Sequence, residues 1–178
     1  MELDALTAIS PIDGRYGNKL MPLRSIFSEY GLIARRVHVE VRWLQCLAAN
    51  AAISEVPPLS ATASQFLDNL LSSFGPEEAA LIKGIEATTN HDVKAVEYFV
   101  KDRMTKLGLE KYLEFVHFGL TSQDINNTSV PLSMRDAVQN EYLPLLDQVI
   151  ETLRRQSNDW KDVAMLAKTH GQPASPTR

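Results

Sequence analysis

Residues 23–48, LRSIFSEYGLIARRVHVEVRWLQCLA, carry the pattern that decides the fold. Leu23, Ile26, Tyr30, Ile33, Val37, Val41, Leu44 and Ala48 recur at steps of three and four. That spacing lays one apolar stripe along about seven turns of helix. Upstream, the first 22 residues read as irregular, because Ser10-Pro11-Ile12-Asp13-Gly14-Arg15-Tyr16-Gly17 is dense in turn formers. Downstream, Ile53 to Pro58 ends the stripe. Ser60 to Ser73 predicts a shorter helix with Phe66, Leu67, Leu70 and Leu71 inward.

Phe74-Gly75-Pro76 breaks the chain again. Pro76 suits the first turn of a third helix through Ala79, Ala80 and Ile82, and Glu77 and Glu78 complement its positive end. Thr88 to Asp92 interrupts. Val93, Val96, Phe99, Val100 and Met104 then resume a helical stripe, with Asp92 or Asn90 as N-cap and Gly108 as its end. Glu110 to Phe118 reads as another short helix. Gly119 to Ser129 is polar. From Val130 to about Leu166 a very long helical pattern follows through Met134, Ala137, Val138, Leu145, Val149 and Leu153, with Pro144 kinking or dividing it.

No window alternates convincingly with period two, and Glu114-Phe115-Val116 is an isolated exception. The expectation is therefore an all-α fold with long helices built for a bundle. The composition shifts at Gly119, which suggests an N-terminal helical domain over 1–118 and the start of a long-helix bundle over 119–178. A stripe as long as the last one has few internal partners. It is expected to pack against other subunits or a further stretch of chain.

The chain has 178 residues, 44% hydrophobic and 22% charged, and its 18 basic and 22 acidic residues leave a net charge of −4. There is no clustered basic face, so nucleic acid is not an expected partner. Apolar runs are interrupted, as Gln45, Cys46 and Asn50 interrupt Leu44 to Ile53, so no membrane span is expected. The start, Met1-Glu2-Leu3-Asp4, lacks the basic residues and apolar core of a signal peptide. Cys46 is the only cysteine and reads as a buried small hydrophobe in a reducing cytoplasm. His38 lies within the first stripe and reads as structural.

Four polar islands remain. In Asp13-Gly14-Arg15-Tyr16-Gly17, two glycines let backbone come close to an anion while Arg15 offers a fork of donors and Tyr16 a ring and hydroxyl. The structural alternative is a surface turn. Thr88-Thr89-Asn90-His91-Asp92 is either a helix N-terminus arranged for an anion or an elaborate cap. In His117-Phe118-Gly119-Leu120-Thr121-Ser122-Gln123-Asp124, the Thr121 and Ser122 hydroxyls suit a carboxylate or phosphate, or equally a cap. His117 reads as part of the helix before it. Lys168-Thr169-His170-Gly171-Gln172-Pro173 sets an imidazole in a polar break after a long helix, where it is either a solvated terminus or a general acid or base. The four histidines lack paired ligand spacing, so no metal site is expected, and no nucleotide-binding glycine loop or serine nucleophile elbow is present.

Taken in order, Ser10 to Tyr16, Thr88 to Phe99, His117 to Asn127 and Lys168 to Ala174 resemble the adenylosuccinate lyase family, in its bacterial purine-biosynthesis form, within the fumarase/aspartase superfamily. The resemblance runs from residue 1 to about 177. It implies β-elimination of fumarate from adenylosuccinate, giving AMP, and from the succinyl-aminoimidazole-carboxamide ribotide. It implies no cofactor. His170 would be the catalytic general acid. Arg15 and Tyr16 would hold the nucleotide end, Asn90, His91 and Asp92 would line the site, and Thr121 and Ser122 would bind the succinyl carboxylates. Lys94 would balance substrate charge and Gln172 would buttress the histidine.

Relatives are homotetramers with sites drawn from three subunits. The family's serine-bearing loop, most of its central bundle and its C-terminal domain would lie beyond residue 178, so this chain alone is expected to be inactive. Arg178 stands where relatives more often carry a small hydroxyl residue. The competing expectations are a non-catalytic helical oligomerisation module and a sister fumarate-releasing lyase such as argininosuccinate lyase.

Overall fold

Ser28 divides the long N-terminal stripe into two helices, α1 (Met21–Phe27) and α2 (Glu29–Ala49). Its backbone is extended, and its hydroxyl accepts the Gly31 N–H at 3.2 Å. Gly31 permits the sharp join. A Cβ there would lie 2.4 Å from the Ile26 carbonyl oxygen, a distance no side chain tolerates. Apolar spacing is blind to such a break, because the join leaves the steps of three and four intact.

The computed structural model describes residues 2 and 4–178, in two compact units, Met1–Ala137 and Val138–Arg178. In the first unit, α1 and α2 are followed by α3 (Ala61–Ser72), α4 (Pro76–Thr89), α5 (Asp92–Thr105) and α6 (Ser122–Ala137). Ser60 caps α3 by accepting the Ala63 N–H, and Pro76 opens α4 as the sequence predicts. Gly108 follows α5 with φ of 68°, a conformation that favours glycine. The stretch after it forms a 3-10 helix over Glu110–Phe115, shorter and tighter than the expected helix to Phe118.

The core forms where α2 meets α3, α4 and α5. Val37, Val41, Leu44, Leu67, Ile82, Val96, Phe99, Val100 and Tyr112 are all essentially sealed from solvent. Burying each such side chain contributes about 1.5–3 kcal/mol, which makes this cluster the main source of the unit's stability. α6 lies along α2 beside a smaller cluster of Val39, Val93 and Ile125. Cys46 corrects its sequence reading: it is exposed, on the face of α2 turned from the core.

The second unit begins with a π-helical turn, Val138–Tyr142, followed by α7 (Leu143–Trp160) with Pro144 in its first turn. The expected helix to Leu166 stops at Trp160. Met165–Thr169 (β1) and Gln172–Thr177 (β2) then form an antiparallel hairpin, Thr169 pairing with Gln172 and Met165 with Thr177. Two prolines, Pro173 and Pro176, forbid helix here, while exposure of nearly every hairpin residue removes the alternation that would mark a strand. α7 buries no residue, and Leu145, Val149 and Leu153 are each more than half exposed along one face.

Candidate active site

The junction of α4 and α5 is built by three adjacent residues. Asn90 takes a left-handed conformation, φ 51°, and closes α4. His91 is extended and caps α5, its Nδ1 accepting the Lys94 N–H at 3.1 Å. The cap is thus His91 rather than Asn90 or Asp92. An imidazole that accepts at Nδ1 carries its proton at Nε2 when neutral, so the half-exposed His91 ring offers an N–H donor without needing a charge. Asp92 accepts the Val93 N–H at 2.8 Å through one oxygen and pairs with Arg36 at 2.7 Å through the other. Burial would raise the Asp92 carboxyl, but the Val93 N–H and the Arg36 guanidinium outweigh it and hold it below the usual carboxylate range.

The next island is shaped by positive φ values at His117 (64°) and Gly119 (71°). The Trp43 indole fixes this turn by donating to the Phe118 carbonyl at 2.8 Å. Thr121 precedes α6, and both its N–H (2.7 Å) and its hydroxyl (2.8 Å) donate to the Asp124 carboxylate, closing the first turn of that helix. Those bonds hold Asp124 below its ordinary value. Ser122 is the first residue of α6 and is partly exposed.

Charges inside the α2 stripe reach both islands. Arg36 is 6% exposed, and beyond Asp92 its Nε donates to Asn126 Oδ1 in α6 at 2.9 Å. Glu40, one turn on, is fully buried, with one oxygen 2.5 Å from His117 Nδ1. Burial pushes the Glu40 carboxyl upward, against the opposing pull of the His117 ring. His117 therefore lies just past the preceding helix, which ends at Phe115, and is the partner of a buried acid. The available signal was two charged residues four apart, flanked by Ile33, Val37, Val41 and Leu44.

Lys94 is held by Glu97 at 2.8 Å, and Lys101 meets the same carboxylate at 2.9 Å. Much of the Lys94 charge is thereby matched within α5. His38 is partly buried, and desolvation together with Arg42 and Arg35 pushes its pKa down, favouring a neutral packed ring.

Arg15 and Tyr16 lie on an exposed turn folded on itself, the Tyr16 N–H donating to the Pro11 carbonyl at 2.8 Å. The Arg15 guanidinium sits 5.5 Å from the centroid of the Tyr16 ring, and Lys19 approaches the same ring at 6.0 Å. Gly14 is required, because a Cβ there would lie 2.9 Å from the Ala5 carbonyl. Two cations and a hydroxyl are thus displayed together towards solvent.

His170 belongs to the second unit. It is not at a helix end: with Gly171 it forms the two-residue turn of the hairpin, at φ 51° and 75°. Positive φ at both positions is what a tight hairpin turn needs to match strand twist. The imidazole is exposed at the tip, and Gln172 pairs with Thr169 directly below it. The expected site residues are therefore divided: Arg15, Tyr16, Asn90, His91, Asp92, Thr121 and Ser122 in the first unit, His170 and Gln172 in the second.

Among the described residues, no group of three or more His, Cys, Asp or Glu side chains is arranged to hold a metal ion. No helix among them is long and apolar enough to cross a membrane.

A sequence model of the lyase family matches residues 14–178. The chain is 53% identical over 178 residues to an adenylosuccinate lyase of Vibrio cholerae and, to the same degree, to one of Escherichia coli. It is 48% identical over 184 residues to an adenylosuccinate lyase of Dictyostelium discoideum. Each comparison covers 99% of this chain, which spans 39% of the length of each relative. A match that takes in the polar turn at Arg15 and Tyr16, both islands bridged by Arg36 and the His170 hairpin places the chain in the lyase family.

Proposed function

We propose that the whole protein carrying this chain eliminates fumarate from adenylosuccinate, giving AMP, and from the succinyl-aminoimidazole-carboxamide ribotide. The observation that carries this reading is identity of 53%, along the whole chain, to adenylosuccinate lyases. A base removes a proton from the carbon next to a succinyl carboxylate, and the electron pair is held as an aci-carboxylate. The C–N bond then breaks, and the leaving nitrogen takes a proton.

His170, exposed at the tip of the hairpin turn, supplies that proton. Arg15 and Tyr16 hold the nucleotide end. The Nε2–H of His91, with Asn90 and Asp92, lines the substrate, and the Thr121–Ser122 turn receives the succinyl carboxylates. Donors aimed at a carboxylate that gains charge in the transition state contribute to the rate directly. A polyanionic substrate is compatible with a net charge of −4, since local donors set the field in a pocket.

The base and the remaining ligands come from outside residues 1–178, so this chain alone is inactive. Residues 119–178 begin the central bundle of the whole protein. The uncovered apolar face of α7 supports assembly of that bundle as a homotetramer, and the expected location is the cytoplasm. The test is fumarate release by the whole protein from adenylosuccinate, the carboxamide ribotide and argininosuccinate, with the 178-residue chain assayed alongside. Turnover of argininosuccinate in preference would assign a sister lyase. No turnover of any of the three would leave a helical assembly module. Release by the isolated chain would refute the requirement for further residues.

A further inference from the structure

Arg36 is a buried cation in the middle of an apolar stripe. A charge in that position is costly unless each donor is matched, and an aliphatic side chain would pack there with less penalty. Its retention asks what the two partners have in common. Asp92 is the first residue of α5, immediately after Asn90 and His91. Asn126 lies one turn beyond Ser122 in α6. One guanidinium, fixed at 2.7 Å to the first and 2.9 Å to the second, therefore spans the starts of the two helices that carry five of the proposed substrate-facing residues.

We propose that Arg36 is a positioning residue for the elimination, locking the Asn90–Asp92 turn and the Thr121–Ser122 turn into a single register. The inference rests on the lyase reading above. The geometry of the fork carries it. Nε and Nη2 of arginine lie in one rigid plane, so the two bonds fix the separation and the mutual rotation of α5 and α6 together. An ammonium offers a single nitrogen on a flexible stem and does not hold two partners at a set separation. The neighbouring contact of Glu40 with His117 sits one turn along the same face of α2 and holds the turn before α6 from the other end. The start of α6 is thus pinned through His117 and through Asn126, whereas the start of α5 is pinned to α2 through Arg36.

The test uses the whole protein with Arg36→Lys and, should that variant fail to fold, Asn126→Ala, which removes one arm and keeps the ion pair with Asp92. For Arg36→Lys, kcat/KM for adenylosuccinate is expected to fall about 100-fold, with KM carrying at least tenfold of it, as for sub-ångström misplacement of binding groups. Asn126→Ala should show the same split, smaller. A side chain that only supports the fold would leave both constants unchanged per folded molecule. Kinetic constants within twofold of wild type in a folded variant overturn the proposal.

Amide hydrogen exchange is read in parallel over residues 90–96 and 121–128. Exchange rising in both segments together supports the common register, and a rise in one alone, or in neither, overturns it. Wild-type protein that does not release fumarate removes the lyase reading, while the exchange arm still decides whether Arg36 couples the two turns.

Discussion

The His117 imidazole lies 2.5 Å from the carboxylate of Glu40, a side chain with no solvent exposure at all. The second Glu40 oxygen has no hydrogen-bond partner among the described residues. A buried acid served on one oxygen only is a poor place for a full negative charge, which is why burial raises its pKa. The folded chain therefore keeps this proton to higher pH than the unfolded chain does. Stability from the protonated form is present below the ordinary value of 4.5 and is lost as pH rises through the folded value. Glu40→Gln lacks this loss. Thermal midpoints measured from mild acid to neutrality should show wild type falling relative to the variant as pH increases, and parallel curves would contradict the assignment.

Asp92 behaves with the opposite sign. Its carboxyl is held low, so its contribution is present above the ordinary value of 3.8 and lost as pH falls through the folded value. Asp92→Asn leaves the buried Arg36 charge without its partner and is expected to cost about 2 kcal/mol at neutral pH, less than a fully buried pair because Asp92 is partly exposed. Denaturant unfolding at neutral pH and again in strong acid tests this. The gap should close in acid.

Gly31→Ala should destabilise the first unit by about 3 kcal/mol, because the new methyl meets the Ile26 backbone rather than a side chain that can swing away. The midpoint of urea unfolding reads it. A neutral result would mean that the α1–α2 join is looser than the 2.4 Å approach implies.

His170 needs a replacement that spares the backbone. Alanine at φ 51° would strain the turn and confuse chemistry with folding. Asparagine tolerates that conformation, and Asn-Gly is the preferred pair for such a hairpin. His170→Asn in the whole protein is therefore expected to keep its thermal midpoint and lose fumarate release by about 100-fold or more. Full activity in the folded variant would remove His170 as the acid.

Charge on the bare face of α7 should act on assembly. Val149→Glu in the whole protein is expected to reduce the mass measured by light scattering, since a carboxylate would be buried unpaired at the proposed subunit contact. An unchanged mass would place the contact elsewhere.

The apolar periods of α2, α3 and α5, and the Pro76 start of α4, were legible because each rests on local spacing and capping chemistry. Ser28 was missed because a cap inside a continuous stripe leaves the stripe intact. The hairpin was missed because a strand exposed on both faces has no reason to alternate. The polar islands were visible as groups, but not their internal roles. His91 as a cap and Thr121 bound to Asp124 are local, each spanning three residues, whereas Arg36 and Glu40 as buried partners depend on side chains brought together from distant positions. A charged residue within an apolar stripe was the one sign of them in the sequence.

The two-residue turn at His170 and Gly171 leaves no slack between β1 and β2. The backbone that carries the imidazole is consequently set by strand pairing: a slip of one residue would turn every side chain of the slipped strand to the opposite face. The irregularity between Leu166 and Lys168 already spends one such step. Substitutions elsewhere in the hairpin therefore reach the histidine through its backbone position, while the exposed ring keeps its own rotamers. A change of pairing in this segment therefore moves the imidazole in one step, whereas the two turns of the first unit are tied to α2 by side-chain bonds.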